Sequence, residues 1–408
     1  MDFSNHLDKI KFDKSCPACG HYIAALVLHE RHPLANTVHP QSVEEAQNLN
    51  CWELQYVRCT ECGHIYNYAF DYDRIPYSQQ SYPLFNKGKL WTGFIEEIQK
   101  KLVAMLPESP TVVEIGHGDG SFLAGLQKLN PQGRYVGFDV SGARDGEGLV
   151  SFRTEFFDPK VHLSELQPDL IVSRHVLEHL SNPLQFLQHL AFVSSSLDLV
   201  PLTYLEVPCA DRILETRRTV DFFYEHNSHF TTESFKKMLS KCHISMETVG
   251  YGCDREVIYN IGYLGVASRS QDLAWEALEY NASTVEGLAT IEEQMHRLYE
   301  SGKKVAIWGG LGRSVAFMNR YGVDRKRFPV VVDSDPSKVG VFVPGTGQQI
   351  QGKDWLLENP VDVVIVPSQW RAADIVAEMY GMGLEVETVF IEHEGQLMDY
   401  DRASHPYK

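Results

Sequence analysis

At 408 residues the chain exceeds one typical domain, and two or three independently packed units are expected. Hydrophobic residues at 43% and charged residues at 22% suit a folded globular protein, while a formal charge of −17 disfavours nucleic acid or an anionic membrane as the main partner, because phosphate contact needs a basic surface. Met1-Asp2-Phe3-Ser4 lacks a basic stretch leading into an apolar one, and no apolar run is long enough to cross a bilayer, so a cytoplasmic protein with no membrane and no nucleic-acid partner is expected.

Residues 1–72 are rich in cysteines and turns, with short aromatic and β-branched runs such as Leu54-Gln55-Tyr56-Val57-Arg58-Cys59 that read as strands. Two of the pairs among eight cysteines are spaced as knuckles, Cys16-Pro17-Ala18-Cys19-Gly20 and Cys59-Thr60-Glu61-Cys62-Gly63. Each presents two thiolates to one tetrahedral ion, and the following glycine permits the tight turn. Cys16, Cys19, Cys59 and Cys62 are the candidate zinc ligands, His64 the rival ligand; four sulfurs leave no open coordination position, so the zinc is structural. Cys51 has no paired partner.

Residues 73–271 alternate strand and helix. Thr111–Ile115, Arg134–Phe138, 169–173 and 202–206 are predicted strands of a parallel sheet covered by helices. The first runs into Glu114-Ile115-Gly116-His117-Gly118-Asp119-Gly120 and then a helix, where glycines let the backbone approach a ligand in the crevice of a doubly wound sheet. Asp139 closes the next strand, at the position where an acid accepts two ribose hydroxyls. The E-x-G-x-G-x-G pattern resembles the class I methyltransferase motif, which implies S-adenosylmethionine on Glu114, Gly116, His117, Gly118, Gly120 and Asp139. Glu155 and Phe156 fall where the third strand should end and would border the adenine. The stretch 169–180, with Arg174, His175, Glu178 and His179, resembles the fourth-strand segment of the same superfamily, with Arg174 and His175 on the cofactor and His179 facing the pocket. Helix-start capping or polar packing is the alternative for His175 and Glu178.

Asp221-Phe222-Phe223-Tyr224-Glu225-His226-Asn227-Ser228-His229-Phe230-Thr231 gathers acid, imidazole and aromatic groups before a helix capped by Thr231 or Thr232. A carboxylate beside an imidazole suits proton abstraction, because the acid orients the ring. Surface polar residues before a helix are the alternative. Residues 272–408 open with an acidic helical stretch and continue as a smaller α/β domain: a strand from Lys304, the turn Gly309-Gly310-Leu311-Gly312, strands over 328–333 and 361–366, and a loose tail after Asp399.

Together these pieces resemble the sugar C-methyltransferases of deoxysugar biosynthesis over nearly the whole chain. Glu225-His226 and Ser228-His229-Phe230 match the family's central loop, with Phe223 where the family has tyrosine. Asp333, Pro336, Lys338, Gly340 and Pro344-Gly345-Thr346 match its C-terminal elements, with Gln348 and Gln349 where a histidine is expected. The resemblance implies a nucleotide-linked ketosugar methylated on the carbon beside its ketone. It makes His226 the base, supported by Glu225 with Tyr224 nearby, and Tyr77 the lid tyrosine with Tyr82 as its competitor. It sets His179 on the acceptor oxygen, Asn227 and His229 beside the acceptor, and Arg313 or Lys338 on the nucleotide phosphates between the two domains. Monomer and homodimer stay open. An O- or N-methylating relative, a nicotinamide oxidoreductase using the second glycine turn and a zinc-ribbon binding protein are the competing readings.

Overall fold

Both cysteine turns close through glycine. Gly20 and Gly63 stand at φ +80° and +74°, the left-handed region that only glycine enters freely, and their N–H groups reach back to the Cys16 and Cys59 carbonyls at 2.8 and 3.1 Å. The computed structural model describes residues 13–77, 88–141 and 149–408. In its cysteine-rich part, β1 (Ala24–His32), β2 (Trp52–Cys59) and β3 (Ile65–Asn67) pair antiparallel, and α1 (Val43–Gln47) is capped by Ser42 between the first two.

Beyond α2 (Lys89–Val103) comes a seven-stranded sheet. Its strands are β4 (Thr111–Ile115), β5 (Arg134–Phe138), β6 (Val150–Arg153), β7 (Leu170–Arg174), β8 (Leu202–Pro208), β10 (Thr248–Gly252) and β11 (Val257–Tyr263), in the order β10-β11-β8-β7-β4-β5-β6. The central strands are parallel and apolar on both faces. Val112, Leu170 and Tyr204 pack with Phe122 of α3 (Ser121–Leu129) and Leu102 of α2. Their neighbours Val113, Ile171 and Leu205 turn the other way, onto α4 (Pro159–Leu166), α5 (Pro183–Ser196) and α7 (Thr232–Lys241). Proline opens α4 and α5 behind the caps Asp158 and Asn182, and Thr231 caps α7 by accepting from the Ser234 N–H. Strand order reverses between β4 and β7, the crevice where such sheets bind ligands.

After α6 (Ala210–Thr216) the chain forms the short strand β9 (Ser228–His229), which joins the other sheet: Ile65 pairs with His229 and Tyr66 with Ser228. The cysteine-rich sheet is therefore completed by the segment that carries His226. By its contacts the chain divides into two compact units, Met1–Gln271 and Asp272–Lys408.

The helix α8 (Ser268–Glu300), which begins four residues before the second unit, leads into that unit's six-stranded sheet of order β14-β13-β12-β15-β16-β17. Its strands are β12 (Val305–Trp308), β13 (Val330–Asp333), β14 (Ile350–Gly352), β15 (Val363–Val366), β16 (Thr388–His393) and the antiparallel β17 (Gln396–Asp399), flanked by α9 (Arg313–Arg320) and α11 (Ala372–Gly381), with the one-turn α10 (Trp355–Glu358) between. The expectation of a loose tail is corrected. Tyr400 is buried, its N–H bonds the Val389 carbonyl and its hydroxyl the Tyr407 carbonyl, so burial and backbone pairing hold the terminus. Among the described residues no helix is long and apolar enough to cross a membrane.

Candidate active site

The turn after β4 bends through three left-handed glycines, Gly116, Gly118 and Gly120. A Cβ on Gly116 would fall 2.3 Å from Val176, whereas one on Gly118 would meet open space, so the backbone there lies bare to the cavity it lines. Asp139, at the end of β5, accepts the Gly118 N–H at 3.0 Å through one carboxylate oxygen and the Ser141 N–H at 2.9 Å through the other. Beneath the turn, burial pushes the Glu114 carboxyl up to about 8, and its Oε2 has no hydrogen-bond partner among the described residues. His117 packs on Phe152 at 4.5 Å, and Glu155 and Phe156 follow β6. Glu114, Gly116, His117, Gly118, Asp139, Glu155 and Phe156 line one cavity of about 590 Å³.

Arg174 and His175 lie deeper in it, at the end of β7. Arg174 sits over the Phe122 ring at 4.4 Å and pairs with the fully buried Glu206 at 3.2 Å. His175, at a left-handed φ of +51°, is held between Glu178 at 3.3 Å and Glu206 at 3.1 Å. Burial opposes its charge, but the two carboxylates outweigh it and raise the imidazole to about 9. Burial also opposes ionisation of Glu206, yet Arg174, His175 and the Tyr204 hydroxyl hold it down at about 2.

The opposite wall comes from Tyr72, Tyr77, Trp91, Glu178, His179, Phe186, Phe223 and His226. His179 Nδ1 and the Tyr77 hydroxyl are 2.8 Å apart, and both reach the Glu225 carbonyl, at 2.8 and 3.2 Å. A carbonyl only accepts, so Nδ1 carries the proton and Nε2 the lone pair. His226 packs at a tilt against Phe223, 4.1 Å between ring centres, and meets His179 edge-on at 4.8 Å. Burial, with the neighbouring imidazoles His179, His229 and His175, holds His226 well below the usual histidine range, so it is a neutral base at pH 7. Its loop is pinned from two sides. Arg218 forks onto Asp221 and Glu256, and the Tyr56 hydroxyl donates to the carbonyls of Phe223 and His226, 2.7 Å from each.

Four expected roles need correction. Glu225 does not orient His226: its buried carboxylate accepts the N–H groups of Ala35, Asn36 and Thr37 at 3.1, 2.7 and 3.1 Å. The Tyr224 ring is fully buried and off the cavity, its hydroxyl 3.1 Å from the Asp71 N–H. The Asn227 amide is spent on the Leu180 carbonyl at 2.8 Å, and His229 is buried against Tyr56 and Phe222. In the second unit Lys338 pairs with Asp333 and Asp335, and Arg313 is exposed at the start of α9. Tyr82 lies outside the described residues. Sequence reasoning missed Glu206, for which an acid in the apolar run of β8 was a signal, and missed Asn36 and Thr37, which line the cavity from the cysteine-rich part with no local signal at all.

The four knuckle sulfurs are buried and within 4.8 Å of one another, with Cys16 to Cys62 at 3.7 Å and Cys19 to Cys59 at 3.6 Å. A tetrahedron of zinc–sulfur bonds about 2.3 Å long has edges of about 3.8 Å, so the set fits zinc. His64 is fully buried against Phe230 and is not part of this group.

A family model described as a methyltransferase domain matches residues 90–242, and one described as a C-methyltransferase C-terminal domain matches residues 275–391. Among solved structures, an S-adenosylmethionine-dependent methyltransferase from Aquifex aeolicus is 16% identical over 44% of this chain and 99% of its own, with a TM-score of 0.31. The magnesium protoporphyrin IX methyltransferase of Synechocystis PCC 6803 is 17% identical over 44% of this chain and 88% of its own, also at 0.31. No curated protein matches the chain in sequence. The chain is a class I S-adenosylmethionine-dependent methyltransferase. More particularly, it is one that carries a C-methyltransferase C-terminal domain. The oxidoreductase and zinc-ribbon readings fall with that.

Proposed function

We propose that the enzyme methylates a carbon beside the ketone of a nucleotide-linked ketosugar, with residues 1–72 as its zinc-binding segment, 73–271 as the methyltransferase domain and 272–408 as a domain serving the nucleotide sugar. One observation carries this reading: the cavity that joins the bare Gly118 turn and Asp139 also contains a half-buried neutral imidazole, His226, in a chain with a C-methyltransferase C-terminal domain. S-adenosylmethionine, when bound, supplies an electrophilic methyl group on a sulfonium.

Asp139 and the 116–120 turn would hold its ribose and methionine parts, and the orphaned Glu114 oxygen faces the same end. His226 takes the proton from the carbon, because a carbon acceptor, unlike a hydroxyl or amine, has no lone pair to offer the methyl. Tyr77, turning its hydroxyl from the Glu225 carbonyl, would donate a hydrogen bond to the developing enolate oxygen, with burial, then Tyr72, Glu225 and Glu178, raising its phenol far above ordinary tyrosine so that it stays a donor. Incubating the chain with methyl-labelled S-adenosylmethionine and nucleoside-diphosphate ketosugars should yield a product whose carbon NMR shows a new carbon–carbon bond. Label on oxygen or nitrogen would replace this reading with O- or N-methylation.

A further inference from the structure

Glu178 is fully buried yet only half bonded. Its Oε1 meets His175 Nδ1 at 3.3 Å, while Oε2 finds no hydrogen-bond partner among the described residues. An unpaired carboxylate oxygen at such depth is costly unless a cation or a donor comes to it. Glu178 lines the cavity, and one of its oxygens lies within 4.8 Å of a ring nitrogen of His179 and a ring nitrogen of His226, which are within the same distance of each other. Behind it, His175 is tied to Glu206, and Glu206 to Arg174, so the carboxylate is anchored on a chain of buried ion pairs.

We propose that Glu178, not the adjacent Glu225, is the positioning residue of the His226 base: its carboxylate steadies the ring and offsets the charge that the ring acquires. The inference rests on the carbon-methylation reading. In the step, the carbon–hydrogen bond beside the ketone breaks, the proton goes to the His226 lone pair, and the electron pair stays on the acceptor as an enolate. The enolate carbon then bonds the methyl while the methyl–sulfur electrons return to sulfur, and the imidazolium gives its proton to water. For that interval an imidazolium stands near the charged His175. Glu178 is the anion placed between them, 3.3 Å from His175 and within 4.8 Å of a His226 ring nitrogen, whereas Glu225 is occupied by the 35–37 backbone. The other titratable groups around the ring are His179, His229 and Tyr77. Hydrogen bonds to a catalytic base are often long before substrate binds and tighten with it, which suits a separation of this size.

The test is Glu178→Gln in the full zinc-loaded chain, with a nucleoside-diphosphate 4-keto-6-deoxysugar as acceptor probe. The melting temperature should fall, since His175 loses one of its two carboxylates, but S-adenosylhomocysteine affinity should stay near wild type, while kcat falls by about 10²-fold with KM little changed. The acid limb of the pH–rate profile should move to lower pH, since losing the anion disfavours the imidazolium, and Glu178→Asp should recover part of the rate. An unchanged kcat, or a lost kcat with an unmoved limb and no recovery in Asp, would overturn the proposal. So would Mn²⁺, added alone, binding the wild type but not Glu178→Gln, which would make Glu178, His179 and His226 a cation site. If the wild type leaves the ketosugar untouched, the function reading fails; Glu178 is then judged on deuterium exchange of the probe beside its ketone, which the wild type should catalyse faster than Glu178→Gln, and equal exchange in both overturns it.

Discussion

His226 is half-buried among aromatic and imidazole rings, so its lone pair is free at neutral pH and its conjugate acid is strong. His226→Asn should keep cofactor affinity and slow turnover by roughly 10²–10⁴-fold, the range for losing a general base; single-turnover rates would measure it, and a wild-type rate would remove His226 from the role. Asp139→Ala releases the Gly118 and Ser141 N–H groups and, in the binding mode proposed above, would remove the acceptor for two ribose hydroxyls, at a cost of about 1.5–3 kcal/mol per charged hydrogen bond, so calorimetry should show S-adenosylmethionine binding weakened at least tenfold. His175 makes stability depend on pH. Its folded value, about 9, lies above the unfolded 6.5, so its contribution is complete below pH 6.5 and lost as pH rises through 9, about 3 kcal/mol in all. Urea unfolding at pH 6 and pH 10 should show this loss in the wild type and much less of it in His175→Gln.

Elements bring these residues together through long-range clips. The Glu225 carboxylate fastens the 35–37 loop across 190, 189 and 188 residues of chain, and β9 joins β3. Glu225→Gln keeps one acceptor oxygen but loses the charge, so it should loosen the loop by on the order of 1–3 kcal/mol. Hydrogen exchange at Ala35, Asn36 and Thr37 should quicken while the 116–120 turn stays unchanged. Much of the local plan was legible in the residues: β4, the glycine turn and the Thr231 cap stand where the spacing predicts them, because each depends on neighbours a few residues away. The partner of Glu225 was not, since adjacency to His226 in sequence says nothing about which way a carboxylate turns.

At the scale of the whole molecule, the cysteine knuckles are tied to the candidate site, because the segment they close supplies Asn36 and Thr37 to the cavity and β3 to the strand that follows His226. Metal analysis should find about one zinc per chain. Chelation under reducing conditions should lower the melting temperature and expose the Ile65 and Tyr66 amides, since metal binding is linked to folding of its segment.

By itself, the sequence determined the architecture of the parts: apolar strands that alternate faces, glycines at left-handed turns, cysteines paired at zinc spacing, and an acid near the end of β4 and just past β5. These are short-range consequences of sterics and periodicity. Only the tertiary structure decided the tasks of the acids and imidazoles: Glu225 to a backbone loop, Glu206 to Arg174 and His175, Glu178 to the wall beside His226, Tyr224 and His229 to the core. The physical reason is burial. A carboxylate taken out of water must find donors or cations wherever the folded chain brings them, and that geometry exists only once distant segments have packed.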